Sequence, residues 1–257
     1  MKPGIPRSLT LVLIATISCA IPASAQATRS SGETYVYEVA ITSNTQVDTS
    51  KLPAAVRAAV EANLAASRMP TVYVVTLTTG QVNGNGSANV RVHFTDSREP
   101  KSAVFERVNQ FDATLSAAGQ LLPIYDPNMR PPPNQMSEDQ MRNTKAQTID
   151  EQFATFNDFA GGCGKHGRLK TGDAWESPGG SRFSLAQNGA FAVTAVAGTV
   201  AAVTMKGGYS SPATSNKFEA AGHYDMGRRL VLDLHIAHAF ENTVGASGTS
   251  TVDYKLR

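Results

Sequence analysis

The residues best suited to chemistry lie in the glycine-rich segment 161–167, which contains Cys163, Lys165 and His166. Neighbouring cations favour the thiolate form of a cysteine, so Cys163 could act as a nucleophile with His166 as its base. The segment is not a phosphate-binding loop, because Phe159 stands where that motif needs glycine. No third, orienting group can be named from the sequence. We therefore favour an ordinary loop after a helix, and keep a hydrolase that uses Cys163 and His166 as the alternative.

The histidines and cysteines offer no complete metal site. Cys163 and His166 would supply at most half of a zinc site. His235 and His238 are three residues apart, so on a strand they point to opposite faces and cannot hold one ion together. His238 lies on the apolar face of its strand, where we expect a hydrogen-bonded core histidine. The sequence thus predicts neither a metal nor another cofactor.

Alternating apolar and polar side chains predict that most of the chain forms strands. In the first strand, Tyr35, Tyr37 and Val39 would line one face. The predicted strands are 34–42, 71–79, 88–95, one or two within 103–115, 182–187, 190–197, 200–206, 217–224, 229–240 and 249–256. Their spacing favours an antiparallel meander.

The hairpin of strands 217–224 and 229–240 has a predicted register. Even-numbered residues must oppose even-numbered residues if one face is to be buried. A three-residue loop, Asp225-Met226-Gly227, gives this parity by pairing Tyr224 with Arg228. Gly227 would then take the left-handed conformation.

Two segments have helical patterns. The alanine-rich segment 51–68 carries a narrow apolar stripe. The segment 137–160 begins with Ser137 and Gln140, the residues of a capping box, and Gly161 and Gly162 are suited to end the helix.

The elements together predict an α+β fold: a large curved antiparallel sheet, with the helices near 51–68 and 137–160 packed against it. A proline-rich connection at 122–134 is the clearest internal boundary. We nevertheless treat 26–257 as one domain, because about 230 residues suit a single large domain.

A short motif gives the chain a resemblance to a known group of proteins. Residues 169–175 read Leu-Lys-Thr-Gly-Asp-Ala-Trp, and residues 222–228, after several strands, read Gly-His-Tyr-Asp-Met-Gly-Arg. This pattern, over roughly 169–240, resembles uncharacterised exported bacterial β-rich domains, in which a Gly-Asp-x-Trp element precedes a meander. The resemblance implies a cell-envelope protein without an assigned reaction, and it supplies no catalytic residues. By its own chemistry, Trp175 is expected to fill one end of a core.

The first 25 residues have the pattern of a cleavable signal peptide. Lys2 and Arg7 precede a short apolar run, and a small-x-small sequence ending at Ala25 predicts cleavage between Ala25 and Gln26. The alternative is a lipoprotein anchored at Cys19. The apolar run is too short for a membrane span, and no longer run follows, so we expect no transmembrane anchor after cleavage.

Composition excludes some classes of partner. The formal charge of the whole chain is +2, and loss of Lys2 and Arg7 with the leader would make it neutral. A neutral chain does not favour nucleic-acid binding. With 41% apolar and 17% charged residues the composition is that of a globular protein. Cys163 would be the single cysteine of the mature chain, so no disulfide is expected.

The sequence therefore predicts a periplasmic or extracellular protein of the cell envelope. We expect a non-enzymatic role: either a small apolar or amphiphilic ligand bound on the concave face of the sheet, or assembly with an envelope protein. A large exposed apolar patch would favour assembly, and an open apolar cavity would favour a ligand.

Overall fold

A computed structural model describes residues 29–50, 53–129, 136–179, 188–210, 214–242 and 246–257. The predicted signal peptide with Cys19, Ala25 and Gln26, the predicted strand 182–187, and residues 130–134 of the proline-rich connection lie outside them. The elements are β1 (Thr34–Val47), α1 (Ala54–Ser67), β2 (Thr71–Val82), β3 (Ala88–Asp96), α2 (Ala103–Val108), β4 (Gln110–Leu115), β5 (Leu121–Pro123), α3 (Glu138–Gln152), α4 (Ala154–Lys165), β6 (Ala174–Pro178), β7 (Asn188–Ala197), β8 (Val200–Ser210), β9 (Thr214–Asp225), β10 (Leu230–Asn242) and β11 (Ala246–Leu256).

All the described strands belong to one antiparallel sheet of 11 strands, so the predicted β-rich, antiparallel character is confirmed. Its order is β5-β4-β3-β2-β1-β11-β10-β9-β8-β7-β6. Strands that are consecutive in the chain pair with each other, apart from β5 and β6, and β1 also pairs with β11. The two edge strands, β5 and β6, are consecutive in the chain, and the segment between them contains α3 and α4.

The sheet curls so that distant strands meet at one end. Five interstrand spacings separate β4 from β10, which is about 24 Å in a flat sheet. The guanidinium of Arg29 nevertheless donates hydrogen bonds to the carbonyl of Ser116, after β4, and to that of Arg229, before β10, at 2.6 and 2.8 Å. The hydroxyl of Tyr224 on β9 likewise reaches the carbonyl of Ala118 at 3.1 Å. Only a strongly curved sheet brings these groups together.

One face of the sheet, its inner face, carries the core. The odd-numbered residues of β1 that the alternation predicted, such as Tyr37 and Val39, are buried there, and so is Val75 of β2. Phe153 and Phe156 lie against this face, with ring centroids 6.5 and 5.4 Å from that of Tyr37. The chain's own helical segment thus occupies the middle of the inner face.

The β9–β10 hairpin differs from its predicted register. Tyr224 pairs with Val231, and Leu230 pairs with Asp225, so the loop is 226–229. The left-handed residue is Arg229, at φ 52°, and not Gly227. A β-bulge between Val231 and Asp233 then restores the even-with-even pairing. The buried face required that parity, and the chain achieves it with a bulge instead of a three-residue loop.

The long predicted helix is two helices, and its predicted end is wrong. α3 begins with the predicted capping box of Ser137 and Gln140. It ends at Gln152, and α4 continues to Lys165, so Gly161 and Gly162 lie inside a helix. A Cβ at Gly162 would stand 2.2 Å from Cζ of Phe191. The glycines are therefore places where the helix closely approaches the sheet, and they do not end it.

Two further predictions need correction. Residues 103–108, predicted as strand, form α2, which Ser102 caps by accepting a hydrogen bond from the backbone N–H of Phe105. α1 forms where a helix was predicted, but none of its described side chains is buried. Its Val56 is 48% exposed. Packing of this helix into the core is thus not confirmed.

Candidate functional site

The two ends of the curled sheet differ. At the end where β1 begins, which we call the closed end, Arg29 is only 7% exposed. Its guanidinium donates to three carbonyls from three different loops, those of Gly86, Ser116 and Arg229. No carboxylate of the described residues forms an ion pair with it, and burial lowers the pKa of its guanidinium. This end is therefore filled by the chain itself.

At the opposite end, the open end, strands β1, β10 and β11 extend past the helices. β1 continues from Thr42 to Val47 paired only with β11, since β2 begins opposite Ile41. The junction of α3 and α4 crosses the inner face here. It leaves one cleft on each side, and Gln152 lines both.

The first of these, the β10–β11 cleft, has a volume of about 480 Å³. The sheet contributes Ile41, Ile236 and Val252 as an apolar floor, and Ala154 and Thr155 of α4 face it. His238 and Ser250 also lie on this floor, with Nδ1 and Oγ 3.4 Å apart, and Glu151, Gln152 and Tyr254 line the cleft as well.

His238 gives the β10–β11 cleft its main polar group. Its Nε2 is buried and has no hydrogen-bond partner among the described residues. Burial lowers the pKa of the imidazole, because the charged form loses its hydration. The ring therefore presents a neutral, unused hydrogen-bonding atom to an apolar cleft. The sequence placed His238 on the apolar face, and the structure confirms that placement.

The second cleft, the α2–α3 cleft, has a volume of about 400 Å³. It lies between the open-end residues of β2 and β3 and the helices α2 and α3. Its apolar lining includes Phe94, Phe105, Met141 and Ile149. The hydroxyl of Tyr73, a residue only 2% exposed, is buried here and has no partner among the described residues.

Gln152 separates the two clefts. Its backbone carbonyl accepts a hydrogen bond from Tyr254 at 2.5 Å, which fixes the end of α3 against β11. Its side-chain Oε1 is buried and unpaired among the described residues. Buried polar atoms are nearly always paired in folded proteins. The unpaired atoms of Tyr73, Gln152 and His238 belong to residues that line the two clefts, which makes these clefts candidates for a functional site.

The sequence analysis singled out neither Tyr73 nor Gln152. A signal was present for Tyr73, because strict alternation places a tyrosine, with its hydroxyl, on the inner face of β2. Gln152 carried no such signal. Its position depends on the end of α3, which the helical pattern did not predict.

Cys163 and His166 do not form the arrangement that the hydrolase hypothesis requires. Cys163 is 0% exposed on α4, and burial raises the pKa of its thiol. His166 is exposed just beyond the helix, where only its backbone N–H reaches the carbonyl of Cys163. A buried thiol with a raised pKa is a poor nucleophile, so these observations argue against the alternative.

His166 instead belongs to an aromatic stack with Trp175. The imidazole lies 4.3 Å from the indole, and Phe191 stacks on the indole at 5.1 Å with an interplanar angle of 8°. Asp173 accepts a hydrogen bond from the backbone of Lys170 in the turn before β6. The Gly-Asp-x-Trp element thus packs an edge strand against α4, close to the role expected for Trp175.

The remaining histidines pair with acids on the outer face. His223 and His235 lie 2.9 and 2.7 Å from carboxylate oxygens of Asp233 and Asp253. His235 and His238 are on opposite faces, as predicted. Among the described residues, no three of the types His, Cys, Asp and Glu stand close enough to hold a metal ion. No described helix has the length and apolar character needed to cross a membrane.

The clefts at the open end and their unpaired polar atoms thus remain the best candidates for a functional site. Neither the protein-family models nor the curated proteins with which the chain was compared include a match.

Proposed function

We propose that this protein is an exported, non-enzymatic binding protein that takes a small apolar or amphiphilic molecule into the β10–β11 cleft. The observation that carries the proposal is an open apolar cleft, of about 480 Å³, that contains a buried and unpaired imidazole nitrogen. Small-molecule sites in proteins are commonly apolar clefts of roughly 300–1,000 Å³ with a few well-placed polar groups.

The lining favours an amphiphile. Ile41, Ile236 and Val252 offer an apolar surface on the sheet, which a hydrocarbon or ring would cover. Nε2 of His238 and the nearby Ser250 hydroxyl offer hydrogen bonds for one polar group at the edge of that surface. Pairing a buried polar atom removes a cost of about 1–3 kcal/mol.

The non-enzymatic part of the proposal rests on the surroundings of His238. Its Nδ1 contacts the hydroxyl of Ser250 at 3.4 Å, which is too long for an activated nucleophile. No described carboxylate hydrogen-bonds to its ring to orient it. These groups suit recognition of a ligand and not proton transfer.

The envelope location rests on the leader-like residues 1–25 and on the resemblance around the Gly-Asp-x-Trp element. Cleavage between Ala25 and Gln26 would leave three residues before Arg29, which fills the closed end. Determination of the N-terminus of the protein from its own cells tests this part, and a lipid-modified Cys19 would replace it with a membrane-anchored form.

The binding proposal is tested by filling the cleft. Ser250→Phe places a ring on the inner face, and Thr251→Phe places the same ring on the opposite face of the same strand. The probe is N-phenyl-1-naphthylamine, whose fluorescence rises in apolar surroundings. We expect saturable binding to the wild type, a loss of at least about tenfold in affinity for Ser250→Phe, which is the size of one blocked apolar contact, and wild-type affinity for Thr251→Phe.

Two outcomes would count against this function. Equal probe binding by both variants would place the probe elsewhere, and absence of binding to the wild type would remove the site. Native mass spectrometry of the protein from its own cells provides an independent measurement. A small-molecule adduct lost on denaturation supports a ligand, whereas an adduct of protein size would favour the assembly role over the ligand-binding role.

A further inference from the structure

We propose that the α2–α3 cleft is a second binding site, for a small molecule with a short apolar chain and an uncharged group that both donates and accepts hydrogen bonds, such as a hydroxyl or carboxamide. The site lies on the other side of Gln152 from the β10–β11 cleft. The α2–α3 cleft is not lined by His238 or Ser250, so this proposal can be tested independently of the proposed function.

The hydrogen-bonding group is specified by two atoms. The Tyr73 hydroxyl is buried without a partner, in a residue only 2% exposed, and it lines the cleft. Gln152 lines the same cleft, and its Oε1 is also buried without a partner among the described residues. A hydroxyl can donate, and a carbonyl oxygen can only accept. A ligand group that accepts from Tyr73 and donates to Gln152 would satisfy both.

The charges around the cleft exclude an ionic group. Lys145 forms an ion pair with Glu99, and Arg98 forms one with Asp96 at 2.7 Å. Lys145 also lies over the ring of Phe94, 5.1 Å from its centroid. The charges of Lys145, Glu99, Arg98 and Asp96 are therefore already neutralised by their partners. An anionic or cationic ligand would have to break one of these ion pairs before it could form an ion pair of its own.

The rest of the lining suits a flexible apolar chain. Met136 and Met141 border the cleft together with Phe105 and Ile149. Methionine side chains are unbranched and adapt to ligands of different shape. Met136 is 37% exposed, which marks the mouth of the cleft. The volume of about 400 Å³ is enough for a molecule of the size of hexanamide, and small for a folded peptide.

The test uses four probes with one chain and different head groups: hexanamide, 1-hexanol, hexanoate and hexylammonium. Binding is followed by NMR of the protein labelled with ¹³C-methyl methionine, which provides reporters inside and outside the cleft. We expect hexanamide and 1-hexanol to shift the Met136 and Met141 signals saturably and to leave Met226, at the closed end, unchanged. The two ions should bind at least about tenfold more weakly, because each must break an ion pair.

The variant Tyr73→Phe separates binding from folding. It removes a hydroxyl that has no partner among the described residues, so the thermal midpoint should stay the same or rise. Hexanamide affinity should fall by about fivefold to tenfold, the effect of one hydrogen bond. The matched control is Tyr37→Phe, which loses a 2.8 Å bond to the carbonyl of Val231 and lies outside the cleft. It should lower the midpoint and keep the affinity.

Equal affinity of Tyr73→Phe and the wild type for hexanamide would overturn the proposal. So would ionic probes that bind as tightly as hexanamide, or shifts of Met226 as large as those of Met141. Ser250→Phe should keep hexanamide binding. If hexanamide does not bind but the naphthylamine does, only the α2–α3 site is disproved. If the naphthylamine does not bind but hexanamide does, only the β10–β11 site is disproved.

Discussion

Arg29 is a buried cation whose guanidinium donates hydrogen bonds to three backbone carbonyl groups. Its three acceptors belong to loops that precede or follow β3, β4 and β10. Hydrogen bonds from a charged donor are stronger than neutral ones, and a planar guanidinium can serve several acceptors at fixed angles. Arg29 therefore links parts of the sheet that would lie far apart if it were flat.

Arg29→Met should lower the free energy of unfolding by at least about 2 kcal/mol, because it leaves buried carbonyls without donors. The free energy of unfolding of Arg29→Lys should lie between those of Arg29→Met and the wild type, since one ammonium group cannot reproduce the planar arrangement of donors of a guanidinium. The control is Arg228→Met, which removes an exposed cation over Tyr35 at the same end and should cost less than about 1 kcal/mol. Urea unfolding measures all three, and similar losses for Arg29→Met and Arg228→Met would contradict the linking role.

His238 should make stability depend on pH. Burial lowers its pKa in the folded protein below the ordinary value of 6.5, so the unfolded chain binds the proton more strongly. The contribution of the neutral ring is present above pH 6.5 and is lost as the pH falls below it. The urea midpoint of the wild type should therefore decrease more between pH 7.5 and 5 than that of His238→Gln. Parallel pH profiles for the two proteins would show that His238 titrates normally.

Individual residues were predicted only where their role is local. The capping pair Ser137 and Gln140 is three residues apart, and both of its bonds form as expected. His238 was placed correctly by alternation along one strand. The role of Arg29 depends on three loops between 57 and 200 residues away in sequence, and no local pattern contains that information.

At the scale of the element, α4 is the unusual part of the fold. It contains three glycines, at 161, 162 and 164, and yet it is the most deeply buried helix among the described residues. A Cβ at Gly164 would stand 2.4 Å from that of Ala118, and one at Gly162 would enter the ring of Phe191. The glycines let the helix backbone approach the hairpin after β4 and the face of β7. The intrinsic cost of glycine in a helix, about 1 kcal/mol each, is offset by that packing.

Substitutions at two adjacent glycines of α4 distinguish the effect of helix propensity from the effect of close packing against the sheet. Gly162→Ala should destabilise the protein by about 1–3 kcal/mol, the cost of overpacking, because Phe191 is itself held by Trp175. Gly161→Ala meets the amide end of Gln120, at 2.6 Å. Movement of that amide would weaken its 3.1 Å hydrogen bond to the carbonyl of Asn157, a loss of about 1 kcal/mol that the gain in helix propensity offsets, so the net effect should stay within about 1 kcal/mol. Thermal unfolding of both variants is the measurement. If Gly161→Ala were the more damaging change, close packing on Phe191 would not explain the glycines.

Elements were predicted well where a pattern of period two or a cap determined them. The strands in 34–95 and 190–256 follow their alternation closely. Residues 103–108 were expected to be strand, but Ser102 provides an N-cap and α2 forms there. The glycine pair misled the prediction because close helix packing and helix ends both favour glycine.

At the scale of the whole molecule, the chain fills its own concave face. The rings of Phe153, Phe156 and Tyr254 lie within 5.1 Å of one another, measured between centroids. On α4, Asn157 uses both ends of its amide to pair with the backbone of Leu121 in edge strand β5. The sequence predicted a large curved sheet with a ligand on its concave side, whereas α3 and α4 fill the middle of that face and the two clefts described above lie at the open end. That arrangement depends on how α4 meets the sheet, which composition and periodicity do not reveal.

The pairing of β1 with β11 has a consequence for how the protein is made. β1 is the first described strand and β11 the last, yet they are neighbours in the middle of the sheet over eleven residue pairs. During synthesis one side of β1 has no partner until residues 246–256 have been made. Contacts between such distant segments form slowly, and an open strand edge pairs readily with other chains. The edge of β1 that later pairs with β11 is therefore the place where incomplete chains are most exposed to aggregation.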